Sequence, residues 1–133
     1  MEIGDIREDT FLPGIHPVSG VLRVDLDKLR WPGDLLHEGG HLALLTPDQR
    51  RQTHGDVGDD GGDEMGAIAW SYAAAVHLQL DPAIVFHPGG YRGGSAAILA
   101  NFASGQPLGV PILLWRGLCQ SADYPRMIRW LRL

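Results

Sequence analysis

The sequence predicts a small α+β fold in which short N-terminal strands precede several helices. Residues 21–26 alternate apolar and polar side chains, which is the two-residue period of a half-buried strand. Residues 35–45 and 63–80 each have the length and the composition of a helix. We expect one domain over residues 1–133, because this length suits a single core, with residues 1–13 as a loosely attached N-terminal arm.

Composition narrows the class of protein. The chain is 44% apolar and 20% charged, as is usual for a globular protein, and its net charge of −5 argues against nucleic acid as a partner. No apolar run approaches the roughly 18 residues needed to cross a membrane, and the acidic N-terminus lacks the apolar stretch of a signal peptide. Cys119 is the single cysteine, so no intrachain disulfide can form and a cytoplasmic location is predicted. Its thiol is expected to be buried and inert.

Local signals place the first elements. A Ser-Gly turn precedes the alternating segment, which predicts a hairpin or a pair of short strands within residues 14–29. The next element is a helix over residues 35–45, for which Asp34 is the predicted N-cap. Pro47 lies just beyond this helix and indicates where it ends.

This first helix carries His37, Glu38 and His41 in the order H-E-x-x-H. Because positions i and i+4 lie on one face of a helix, both imidazoles can reach a single metal ion. Glu38 is one position further round, where its carboxylate can take a proton from water at the open coordination position. The opposite face is expected to provide the packing surface, and Gly39 on that face indicates the close approach of another backbone.

A catalytic zinc site normally has three protein ligands, so a third is needed beyond the two histidines. The second predicted helix, residues 63–80, is apolar around most of its circumference and is expected to be central and buried. Glu64 lies in its first turn, 23 residues after His41. It can be the third ligand or a surface carboxylate that stabilises the helix N-terminus. Asp63 and His54 are the alternative ligands.

A Gly-rich loop further along the chain contains His87, Tyr91 and Arg92. His87 or Tyr91 could donate a hydrogen bond to a developing oxyanion, and Arg92 could hold a substrate carboxylate. A tight surface turn with ordinary side chains explains the same residues equally well.

The other predicted segments are a loop at 46–62, a short apolar run at 83–86, a helix at 95–104 that Ser95 could cap, a buried strand or helix at 110–115, and a short terminal helix at 124–133.

The motif followed by a helix-borne glutamate resembles the gluzincin arrangement of the zincin metallopeptidases, and the length resembles their minimal single-domain members. The resemblance covers residues 31–80. It implies a zincin-like domain in which a motif helix and a buried ligand helix follow the strands. It also implies that His37, His41 and Glu64 bind one Zn²⁺ ion and that Glu38 is the general base.

One position departs from this family. Several gluzincins carry an aspartate four residues after the ligand glutamate, where it supports a zinc-binding histidine, but this chain has Ile68 there. Another group would therefore have to orient the imidazoles. The candidates are Asp34, Asp63, Ser71 and a backbone carbonyl.

The resemblance implies a zinc-dependent metallopeptidase or amide hydrolase that acts on a peptide or a small amide. The alternative is a metal-binding domain without peptidase activity, with a partner-binding or regulatory role on the same scaffold. A third hypothesis is a polar helix face that binds no metal. Residues 124–133 alternate arginine with apolar side chains and are expected to dock on the domain or, alternatively, to form a homodimer contact.

Overall fold

The computed structural model describes residues 1–10, 12–55, 61–105 and 107–133 and confirms a small α+β fold. None of the described helices is long and apolar enough to span a membrane. Two short 3-10 turns accompany the regular elements. The elements are β1 (Glu2–Ile3), β2 (Ile15–Val18), β3 (Val21–Val24), α1 (Asp34–Leu44), α2 (Pro47–Arg51), α3 (Gly61–His77), α4 (Ser95–Ala103) and α5 (Val110–Trp115), with the 3-10 turns at Pro82–Ile84 and Tyr91–Gly93.

The three strands form one sheet in the order β1-β3-β2. β2 and β3 are antiparallel, with Ile15 opposite Val24, which confirms the predicted hairpin. Ser19 and Gly20 form its turn with positive φ angles of 52° and 81°. Tight hairpin turns require this left-handed backbone, and glycine adopts it without steric cost.

The N-terminal arm is attached more firmly than predicted. β1 pairs in parallel with β3, so the arm adds a third strand to the hairpin. Ile6 is fully buried, and its amide donates a 3.0 Å hydrogen bond to the carboxylate of Asp25. The arm is held because it buries one large apolar side chain and satisfies a buried carboxylate at the same point.

The start of α1 also differs from the prediction. Gly33, and not Asp34, occupies the N-cap, and Asp34 is the first helical residue with its side chain turned to another partner.

Beyond α1, the segment predicted as a loop begins with the short helix α2. The side chain of Thr46 accepts a hydrogen bond from the amide of Gln49, whose side chain in turn accepts one from the amide of Thr46, forming a capping box. Residues 56–60 of the predicted loop lie outside the described residues.

Leu42 on the predicted packing face of α1 is buried, but the histidine face is buried as well, which was not predicted. His37 and His41 are buried against α3, whereas Gly39 is only partly buried. The close backbone approach occurs at Gly40, where a Cβ atom would lie 2.9 Å from the carbonyl oxygen of Ala67. At Gly39 a Cβ would meet only the ring of Trp70, at 3.4 Å. The missing Cβ of Gly40 therefore lets α1 and α3 pack closely.

α3 is central and buried, as predicted, and α5 packs against it. The segment at 110–115 is thus a helix and not a strand. Cys119 is buried, and burial raises the pKa of its thiol. One cluster in this part of the core consists of Leu44, Ala67, Ala69, Val110, Leu113, Leu118 and Cys119.

The predicted terminal helix at 124–133 is wrong. This segment is irregular, and several of its backbone amides donate hydrogen bonds to other parts of the chain. The amide of Arg132 donates to the carbonyl oxygen of Ala43 at the end of α1, and the indole of Trp70 donates to the carbonyl oxygen of Trp130. Arg50 donates to the carbonyl oxygen of Arg132 at 2.7 Å. The tail therefore docks on α1 and α3 through tertiary hydrogen bonds.

Candidate metal centre

Three side chains from two helices meet where α1 packs on α3. The Nε2 atoms of His37 and His41, one turn apart on α1, are separated by 3.2 Å. Glu64, from the first turn of α3, brings one carboxylate oxygen to 2.8 Å from His41 Nε2 and the other to 3.2 Å from His37 Nε2. The structure thus joins the two motif histidines to the glutamate that the sequence proposed.

These separations are compatible with ligands around one ion. Bonds of about 2.0–2.1 Å in a tetrahedral site place neighbouring ligand atoms about 3.3–3.4 Å apart. The observed distances of 3.2, 3.2 and 2.8 Å are close to these edges. Three Lewis bases that converge in this way are compatible with a metal ion between them.

Glu38 belongs to the same group. Ligand atoms of His37, Glu38 and His41 all lie within 4.8 Å of one another, and all three residues are buried. Glu64 is not in this set of three, yet its carboxylate oxygens directly contact both imidazoles. Glu38 therefore lies at the centre together with the two histidines.

The two alternative third ligands are engaged elsewhere. Asp63, next to Glu64, lies 3.4 Å from the guanidinium of Arg116. His54 is exposed, and its ring packs edge-on against His16 at the sheet. Of the three candidates, Glu64 is therefore the one in contact with the histidines.

The charges of this cluster shift the titration of its members. Burial would raise the pKa of Glu64, but hydrogen bonds from His37 and His41 hold it well below its usual range. Burial would lower the pKa of His41, but the hydrogen bond and the charge of Glu64 raise it above its usual value. The cluster therefore favours an ionised Glu64 carboxylate beside the imidazoles. A negative charge at this point also suits a bound cation.

The predicted support for the imidazoles is absent from the described part of the chain. The Nδ1 atoms of His37 and His41 are buried and have no hydrogen-bond partner there. Ser71 donates to the carbonyl oxygen of Ile68 in its own helix, and Ile68 itself lies in an apolar cluster. The ring orientations are therefore set by packing between α1 and α3 and by the contacts at Nε2.

The Gly-rich loop lies beside the candidate metal centre. His87 is buried, and its Nε2 lies 2.6 Å from a carboxylate oxygen of Asp34. Trp31 stacks on the His87 ring with 4.3 Å between centroids, and a Cβ at Gly89 would lie 2.6 Å from the Trp31 ring. Ser95 donates its hydroxyl hydrogen to the carbonyl oxygen of His87 rather than capping its own helix. No sequence signal links Asp34 to His87, because the pair depends on tertiary packing.

Tyr91 connects this loop to the ligands. Its ring lies edge-on to that of His37, with 5.3 Å between centroids. The hydroxyl is buried and has no hydrogen-bond partner in the described residues. Burial, followed by the charges of Asp34, Glu64 and Glu38, raises the pKa of Tyr91 far above its usual value, so the hydroxyl keeps its proton.

The backbone of the loop is strained at this point. Tyr91 and Arg92 have positive φ angles of 57° and 52°, which non-glycine residues adopt rarely. Such strain of about 1–3 kcal/mol per residue is typical of functional sites. Arg92 is exposed, so its guanidinium stays available to solvent.

No known protein family, curated protein or solved structure matches this chain. Its function must therefore be inferred from its own residues. The H-E-x-x-H motif, the contacts of Glu64 and the Tyr91 loop are the features that bear on its chemistry.

Proposed function

We propose that the protein is a zinc-dependent hydrolase of peptide or small amide bonds. His37, His41 and Glu64 would hold the ion, and Glu38 would be the general base. The observation that supports this proposal most is the convergence of two imidazole nitrogens and a carboxylate within 2.8–3.2 Å. His/His/Glu is the ligand set of several catalytic zinc sites, which retain a fourth position for water.

When bound, zinc would lower the pKa of a coordinated water and polarise the scissile carbonyl. Glu38 would then accept a proton from that water and deliver it to the leaving nitrogen. Glu38 suits this role because it is buried and has a carboxylate oxygen within 4.8 Å of ligand atoms of His37 and His41.

The Tyr91 loop supplies a donor for the developing oxyanion. The Tyr91 hydroxyl remains protonated and lacks a partner among the described residues, so it can donate a hydrogen bond to substrate. His87 is held by Asp34 and lies one ring further away, with 6.3 Å between its centroid and that of Tyr91. Tyr91 is thus the better placed of the two predicted donors, and His87 would position the loop.

The test is Glu38→Gln, which keeps the shape of the side chain and removes its basicity. We expect hydrolysis of a peptide library to fall about 10²–10⁴-fold. Zinc stoichiometry by elemental analysis should stay unchanged, because Glu38 is not a proposed ligand. Glu2→Gln, the same change at an exposed strand residue, is the matched control and should alter neither property. Unchanged hydrolysis in Glu38→Gln would refute this mechanism.

A second function, metal binding without hydrolysis, is favoured by one observation. Glu38 and His41 are only 6% and 4% exposed, whereas the Glu64 side chain is 40% exposed, so solvent reaches the site mainly from the Glu64 side. A regulatory or partner-binding module would use the ion to stabilise the α1–α3 contact. In that case zinc would raise the unfolding temperature, and Glu38→Gln would leave every measured property unchanged.

A further inference from the structure

A second pair of histidines lies at the sheet, outside the centre described above. His16 is on β2, and His54 follows α2. The chain around His54 runs antiparallel along the free edge of β2, with His54 bridged to Val18. The amide of Gly55 donates to the carbonyl oxygen of Pro17 at 2.8 Å, which holds His54 beside the strand. We call His16 and His54 the strand pair, and His37 and His41 the helix pair.

His16 is an unusual buried histidine. Its side chain is almost fully buried, and neither ring nitrogen has a hydrogen-bond partner in the described part of the chain. Buried polar atoms are nearly always satisfied, because an unpaired one costs about 1–3 kcal/mol. Among the described residues, the ring nitrogens of His16 are therefore available to a further ligand.

The two rings of the strand pair are arranged edge-on, as are those of the helix pair. The rings of His16 and His54 are 5.3 Å apart between centroids, at an interplanar angle of 84°. In the helix pair, whose Nε2 atoms converge, the same quantities are 4.8 Å and 83°. His54 is exposed, so an ion could enter from solvent along its ring.

One charged residue lies opposite His16 on the neighbouring strand. Arg23 pairs with His16 in the hairpin register, and its guanidinium donates a hydrogen bond to the carbonyl oxygen of Asp5.

We propose that His16 and His54 form a second site for a divalent transition-metal ion, with two imidazole ligands and water in the remaining positions. Imidazole nitrogens suit Cu²⁺, Ni²⁺ and Zn²⁺, and Cu²⁺ binds such donors most strongly in the first-row series. This site does not depend on the proposed hydrolase, because it shares no residue with the helix pair.

The experiment is a Cu²⁺ titration of chelator-treated protein purified without a histidine tag, with bound copper measured by equilibrium dialysis. We expect His54→Ala to bind one equivalent fewer than the wild-type protein. His77→Ala is the matched control, since His77 is also exposed but packs against Trp130 and has no second histidine beside it. It should bind as much copper as the wild-type protein.

Equal copper binding by His54→Ala and the wild-type protein would overturn the proposal, as would loss of the same equivalent in His77→Ala. The design separates the two sites. If the helix pair binds no metal, the wild-type protein binds one equivalent and His54→Ala binds none. Should His54→Ala not fold, NMR of the wild-type protein decides. Cu²⁺ must then broaden the imidazole signals of both His16 and His54, and sharp signals from this pair would exclude the site.

Discussion

The helix pair and the strand pair have almost the same ring geometry but arise in different ways. His37 and His41 are four residues apart on one helix, so their rings meet as soon as α1 forms. His16 and His54 are 38 positions apart and meet only when the chain after α2 pairs with β2. A motif search can find the first arrangement and cannot find the second. Similar ring geometry thus results from local spacing in one case and from tertiary pairing in the other.

The two pairs also differ in their carboxylates. Glu64 contacts both imidazoles of the helix pair, at 2.8 and 3.2 Å. Among the described residues, no carboxylate oxygen lies within 4.0 Å of a ring nitrogen of the strand pair. Together with Glu64, the helix pair would offer three protein ligands, whereas the strand pair would offer two. We expect the helix pair to bind a divalent ion more tightly.

The largest expected effect comes from removing this extra ligand. Glu64→Gln should weaken zinc binding at the helix pair by more than about 100-fold, because even groups that only support a ligand are worth 10–100-fold. Zinc affinity measured by competition with a chelator tests this. Asp63→Asn removes the same charge one residue away, where it faces Arg116, and should change the affinity far less. Equal losses in both variants would mean that net charge, and not ligation, governs binding.

The next effect concerns the helix contact that places Glu64 beside the helix pair. In Gly40→Ala the new Cβ would lie 2.9 Å from the carbonyl oxygen of Ala67, so we expect a loss of about 1–3 kcal/mol in the free energy of unfolding. Gly39→Ala meets only the Trp70 ring at 3.4 Å and should gain up to about 1 kcal/mol from helix propensity. Urea unfolding measures both. A harmless Gly40→Ala would show that close α1–α3 packing is not required.

The smallest effect is the pH dependence of the metal-free protein. Glu64 has a pKa below its ordinary 4.5, so its stabilising contribution is complete above pH 4.5 and is lost as the pH falls through the lowered pKa. His41 has a pKa above its ordinary 6.5, so its contribution is complete below pH 6.5 and is lost as the pH rises through the raised pKa. We therefore expect this contact to stabilise the protein most between pH 4.5 and 6.5.

Unfolding temperature against pH, in the presence of a chelator, measures this window. Glu64→Gln should flatten the profile, because it removes the carboxylate that raises the pKa of His41. His54→Ala should leave the profile unchanged, since the strand pair has no contact with Glu64. A profile that His54→Ala flattens as much as Glu64→Gln would contradict the separation of the two pairs.

Predictions made from local patterns agree with the structure where the pattern alone determines the element. The alternating residues form the hairpin, and the apolar segment that begins at Asp63 becomes the buried helix α3. The terminal segment was predicted as a helix because arginine alternates with apolar side chains, but its backbone bonds to α1 instead. Asp34 was predicted as the N-cap because it immediately precedes the predicted helix. Its carboxylate instead contacts the imidazole of His87, and Gly33 occupies the N-cap. In both cases a partner distant in sequence decided the outcome.

The sequence by itself determined the spacing of His37, Glu38 and His41, because 3.6 residues per turn place i and i+4 on one face of any helix. It also indicated Glu64 as one of three candidate ligands. Only the tertiary structure decided that Glu64 contacts the imidazoles, through the close packing of α1 on α3 at Gly40. The physical reason is that geometry within an element follows from backbone hydrogen bonds, whereas geometry between elements follows from side-chain packing across distant parts of the chain.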